Sequence, residues 1–135
     1  MDMDAPQPRN TSMNRASNLQ YDLASRGTSL EFWLKKDNFS DPSVTSREVI
    51  FDMWNGQNSS SADYGRLRLE LSASGDSVLG VNPLLLTALS GTTGFYRQPI
   101  AASTFTTSSL ADGNWHHYAV TMKSASAGVT TKFYV

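Results

Sequence analysis

Four groups of residues in this 135-residue chain have side chains that could do chemistry. The first is a carboxylate pair, Glu48 and Asp52. On a strand they share a face, but four residues of extended chain separate them by roughly 13 Å. Paired-carboxylate hydrolysis needs about 5 Å or about 6.5–9.5 Å, according to stereochemistry, so this pair is too wide. The second is His116-His117, the chain's only histidines. Adjacent strand residues point to opposite faces, so the two cannot bind one metal ion together, and no cysteine exists to complete a zinc site. The expected arrangement is one hydrogen-bonded histidine on the core side and one on the outer side. No Gly-x-Ser-x-Gly turn or phosphate-cradling glycine loop accompanies them.

The third group is the set of oxygen donors in polar connections: Asp37, Asn38, Asp41, Asn55, Asn58 and Asp63. Such residues suit calcium, but they follow no EF-hand spacing, so no ligands are assigned. The fourth is tryptophan. Trp33 and Trp54 fall on the outward parity of their strands and are expected to form an aromatic platform for sugar rings. Asn55, Gln57 and Asn58 would flank it as hydrogen-bonding groups. The competing expectation is that the indoles lie beneath loops or between sheets, because each has so much surface to bury.

These groups need strands to position them, and the period-two pattern supplies them. Ser29–Lys36 alternates Leu30, Phe32 and Leu34 inward with Glu31, Trp33 and Lys35 outward. Glu48–Trp54 is apolar on both faces, with Val49, Phe51 and Met53 on one, and is expected to be covered on both sides. Gly65–Ser72 places Leu67, Leu69 and Leu71 inward and Arg66, Arg68 and Glu70 in water. Asp112-Gly113 is a turn signal opening a strand from Trp115, with His116, Tyr118, Val120 and Met122 on the core side. Trp115 then falls on the opposite face or folds over the strand entrance. Val129–Val135 pairs with that strand.

Other segments read less sharply. Leu19–Ala24 fits a first strand, and Ser74-Gly75-Asp76 a turn. Asn82–Gly91 fits a capped short helix and a buried strand almost equally. Gly94–Ala101 and Thr104–Ser108 read as strands or extended edges, with Pro99 marking an edge. Many short strands separated by turns give an all-β, antiparallel β-sandwich.

Two stretches carry a resemblance. Asp112-Gly113-Asn114-Trp115-His116-His117 followed by Lys132-Phe133-Tyr134-Val135, and the earlier Ser29-Leu30-Glu31-Phe32-Trp33-Leu34-Lys35, resemble the concanavalin A-like lectin and laminin G-like (pentraxin-type) sandwich families. The resemblance implies a concanavalin A-like jelly roll and calcium as the cofactor to consider, but no single function, since such folds host lectins, adhesion modules, hydrolases and structural domains. The families also include glucanases with carboxylates at alternating strand positions, a triplet this chain lacks. Those folds continue with further strands, so the expectation is a sandwich domain over residues 19–135 that runs on beyond Val135, preceded by a flexible arm at 1–18.

Composition narrows the partners. A formal net charge of -1 with 17% charged residues creates no general field for nucleic acid. No apolar run reaches membrane-spanning length, and the acidic, polar N-terminus does not read as a secretory signal. Three Asn-x-Ser/Thr triplets, at Asn10, Asn38 and Asn58, are what a Ser/Thr-rich chain generates by chance. The expected function is a non-catalytic recognition or adhesion module that binds carbohydrate or a protein surface through rim loops. The alternative is a structural module of a larger assembly, such as a virion, tail fibre or appendage, touching neighbouring subunits. The expected setting is an extracellular surface or a virion.

Overall fold

The computed structural model describes residues 26–39, 47–72, 82–125 and 128–135. The proposed arm at 1–18, the strand at Leu19–Ala24, Asp41 and the turn at Ser74-Gly75-Asp76 lie outside them. In chain order the elements are β1 (Thr28–Lys35), β2 (Arg47–Trp54), β3 (Gly65–Ser72), β4 (Leu84–Ser90), β5 (Thr93–Pro99), α1 (Thr107–Leu110), β6 (Trp115–Ala125) and β7 (Gly128–Tyr134). They build two antiparallel sheets, β1-β6-β7 and β2-β3-β4-β5.

The alternation in β1 and β6 places Leu30, Phe32 and Leu34 against Tyr118, Val120 and Met122 on the inner face of the three-stranded sheet. Leu67, Leu69 and Leu71 of β3 and Leu84, Leu86 and Ala88 of β4 supply the facing layer. One apolar cluster therefore fills the space between the sheets, as in a sandwich. Phe32 stacks on Tyr118 at 5.5 Å and Tyr118 on Phe133 at 5.8 Å, with Phe105 edge-on to both Tyr118 and Phe133. Offset and edge-on ring contacts of this kind add about 0.5–1.5 kcal/mol each beyond buried area.

Several expectations change. Asn82–Gly91 resolves to strand β4, hydrogen-bonded to β3 on one side and β5 on the other. Leu84, Leu85 and Leu86 are all fully buried, and a strand covered on both faces has no alternation to betray it. Thr104–Ser108 is not extended: Thr106 caps the single turn α1 by a reciprocal Thr106–Ser109 box, and Leu110 anchors the turn in the core. β5 is an edge strand, as Pro99 predicts.

β2 is not covered on both sides. Ile50 is an extra residue in the ladder, since Val49 pairs with Glu70 and Phe51 with the adjacent Leu69. This bulge reverses the parity, so Ile50 and Phe51 pack on the core while Val49 turns out to solvent.

Glu70 departs furthest from expectation. It lies on the outer face of β3 yet is 1% exposed. Arg97 Nε donates to Glu70 Oε1 at 2.6 Å. Arg68 Nε sits 2.8 Å from Oε2, close enough for an ion pair but without hydrogen-bond direction. A second bulge presents Arg97 to it, with Tyr96 and Arg97 of β5 opposite Thr87 alone. Arg97 adopts φ 51°, a left-handed conformation costing an arginine about 1–3 kcal/mol. Its backbone N–H donates to Thr87 Oγ1 at 3.1 Å, and its ion pair helps offset the strain. Alternation had assigned Glu70 to a face correctly, but it does not report whether that face is covered.

A covered Glu70 makes a measurable difference. Glu70→Ala strands buried guanidinium charge and should lower stability by about 3–5 kcal/mol in urea titration. A loss within about 0.5 kcal/mol, the usual cost at an open strand face, would show that Glu70 is solvated.

Candidate binding face

The Asp112-Gly113 turn that opens β6 is built by its own side chains. Gly113 takes φ 78°, a conformation that a side chain would strain. Asp112 Oδ1 accepts the Asn114 backbone N–H at 2.9 Å, and Asp112 Oδ2 lies 2.9 Å from His116 Nε2. The Asn114 N–H, then the His116 ring, lowers the Asp112 carboxyl to about 2. Gly113 N–H also donates to the Lys36 carbonyl at 3.0 Å, tying the turn to the end of β1. Lys36 reaches across to the other sheet, 2.7 Å from both oxygens of Glu48. The two chain segments flanking the outer rows of β1 and β6 are thus fixed.

Those outer rows hold the candidate site. Register places Lys35 opposite Trp115, Trp33 opposite His117, and Glu31 opposite Ala119, which in turn faces Tyr134 of β7. Trp33 and His117 rings lie 5.1 Å apart, tilted by 35°. Trp33 and Trp115 are each 65% exposed and Tyr134 50%. Rows on one face of a strand repeat every ~7 Å, so these rings form one patch with small Ala119 at its centre. His117 Nε2 also stands 3.6 Å from the Glu31 carboxylate. Beyond Ala119 the face continues as a groove of about 500 Å³, lined among others by Arg26, Thr121, Lys123, Thr130, Lys132 and Tyr134.

The expected site residues divide. Trp33 is on the outer face of the three-stranded sheet and Trp54 on the outer face of the four-stranded sheet, with the core between them. They cannot form one platform, because outward faces of two packed sheets point in opposite directions. Neither they nor Trp115 is buried beneath loops, since Trp54 is 51% exposed.

The polar residues next to Trp54 are occupied by the loop itself. Trp54 Nε1 donates to the Gln57 carbonyl at 2.9 Å. Asn55 Oδ1 accepts the backbone N–H groups of Gln57 and Gly65, and its Nδ2 donates to the Asp63 carbonyl. Asn58 Oδ1 accepts the Ser60 N–H. Asn55 and Asn58 shape the 55–64 connection as side-chain-closed turns.

The carboxylates are engaged too. Glu48 pairs with Lys36, and Asp52 accepts two hydrogen bonds from Arg66 at 2.9 and 2.6 Å. That bond to Asp52 holds the Arg66 guanidinium well above its ordinary pKa. Among the calcium candidates, Asp37 approaches the Gly113 turn while Asn55, Asn58 and Asp63 belong to the 55–64 connection. Among the described residues no three His, Asp or Glu side chains converge. His117 and Tyr134 were missed as site residues. The signal was available: both share the outward parity of Trp33 once β1, β6 and β7 are set side by side.

The Asp112 turn yields a pH prediction. Its folded-state pKa lies below the usual 3.8, so its stabilisation is present above about pH 4 and is lost as pH falls towards 2. Carbon-detected NMR should give an Asp112 midpoint near 2, and Asp112→Asn should remove this share of the acid sensitivity. A midpoint near 4 would contradict the turn geometry. No family model, curated protein or solved structure matches the chain.

Proposed function

We propose that this chain is a non-catalytic recognition module that binds carbohydrate on the outer face of β1-β6-β7. The reading rests on the grouping of Trp33, His117, Trp115 and Tyr134 on one sheet face, with rings exposed. Aromatic faces receive the C–H face of a sugar ring, and neighbouring Glu31, His117 and Lys35 supply directional hydrogen bonds. The 55–64 rim loop is a weaker candidate, because the Asn55 amide and the Asn58 carbonyl oxygen are already spent on closing the loop. The turn and strand motifs support a concanavalin A-like or laminin G-like jelly roll as the parent architecture.

A second reading has its own observation. Large exposed rings on a sheet whose outermost strands among the described residues are β1 and β7 also suit burial against a neighbouring subunit of an assembly.

A glycan array followed by calorimetry separates the two. Trp33→Ala should weaken carbohydrate binding at least about tenfold, a normal loss for a stacking ring. Trp54→Ala should leave it unchanged, and both variants should keep the wild-type CD spectrum. Loss of binding in Trp54→Ala alone would return the site to the rim loop. A defined oligomer dispersed by Trp33→Ala, with no glycan bound, would favour the assembly reading.

A further inference from the structure

The aromatic patch and the groove beyond it form one continuous face, and the groove has a different chemistry. Moving down the strands from Glu31–Ala119–Tyr134, the next row is Ser29–Thr121–Lys132, and Lys123 pairs with Thr130 in the row after that. Arg26 joins them at the groove wall. Three cations and three hydroxyl groups therefore line a concave strip whose floor is the central strand β6. Among the described residues none of Arg26, Lys123 and Lys132 is in an ion pair, whereas Lys36, Arg66, Arg68 and Arg97 all are. In a chain of net charge -1 this is a local concentration of unpaired positive charge. It lies about 14 Å from the Trp33–His117 row, four strand residues away. The only carboxylate in the rows between is Glu31, which faces His117 rather than the groove cations.

Resting on the carbohydrate reading above, we infer that the ligand is an acidic oligosaccharide bearing sulfate or carboxylate groups and lying along β6. One sugar ring packs on Trp33 and Trp115, and an anionic substituent further along the chain enters the groove between Lys123, Lys132 and Arg26. Thr121, Thr130 and Ser29 donate to its remaining oxygens. Tyr134 borders both regions and joins the apolar end to the charged end. Glu31 repels an anionic group placed one row too early, which sets the direction of the chain. Charge complementarity selects the ligand class, since a neutral glycan would leave three cations with nothing to meet.

The test uses the full chain and two matched probes: a chondroitin sulfate hexasaccharide and its chemically desulfated, carboxyl-methylated counterpart. Calorimetry at low and physiological salt should show the charged probe binding about tenfold or more tightly, with the gap closing as salt rises. Lys123→Gln with Lys132→Gln should abolish that gap while leaving the neutral probe's affinity unchanged. Trp33→Ala should weaken both probes. Equal affinity for the two probes, or an unaltered gap in the double variant, would overturn the acidic-ligand inference and leave the carbohydrate reading standing. Failure of both probes and of a neutral glycan array would overturn the carbohydrate reading itself. Lysine-dependent binding to phosphatidylglycerol vesicles in preference to the sulfated probe would also overturn the inference, by reassigning the groove to lipid headgroups.

Discussion

The stack of Phe32 on Tyr118 across β1 and β6 is the contact on which the arrangement depends. It seats two large rings directly opposite each other on the inner face, and Phe133 of β7 extends it. Because side chains alternate along a strand, fixing Phe32 inward forces Trp33 outward, and fixing Tyr118 inward forces His117 outward. A slip of one residue would bury Trp33 and expose Phe32, exchanging core for surface along the whole strand. The register that builds the core thus also assembles the exposed face. Trp115, at the first position of β6, depends additionally on the Asp112–Asn114–His116 turn that begins the strand where it does.

The two sheets meet solvent in different ways. On the four-stranded sheet, Glu70, Leu85, Thr87 and Arg97 of the outer face are buried, and the charges there neutralise one another. On the three-stranded sheet the outer face keeps large rings in water, with cations that make no ion pair among the described residues. Asn55 and the Asn58 carbonyl oxygen at the 55–64 connection bond within the loop, so a ligand would gain little by displacing them. Exposed rings and unpaired cations have the opposite balance: covering them removes apolar surface and supplies missing counter-charge. This contrast, more than the presence of tryptophan, distinguishes the proposed binding face from the rest of the surface.

The parts of this that were legible in the sequence follow from what alternation can carry. β1, β3 and β6 have clean period-two patterns, and their inward sets pack in the core, except His116, which turns to Asp112 at the strand entrance. Alternation fails at an inserted residue. Ile50 and the Tyr96–Arg97 pair each reset the parity of their strands, and no residue type announces either bulge. It is also silent on whether an outward face is covered, so Glu70 read as solvated, and it is ambiguous in β4, where every position is apolar or small. The grouping of site residues was hidden for another reason. Trp33 and Trp54 look equivalent along the chain, and only sheet membership places them on opposite sides. Trp33, His117 and Tyr134 are distant in sequence and adjacent only once β1, β6 and β7 are paired.

A ligand held by the outer face of β1-β6-β7 would sit among tryptophans of that face alone. The three indole N–H groups are natural reporters, since Trp33 and Trp115 lie on that face and Trp54 on the other sheet. A titration with a bound oligosaccharide, followed by two-dimensional NMR of the indole N–H resonances, tests this placement most directly. The Trp33 and Trp115 signals should move together along one binding isotherm while Trp54 stays fixed. Movement of Trp54 with Trp33 and Trp115 unchanged would contradict it.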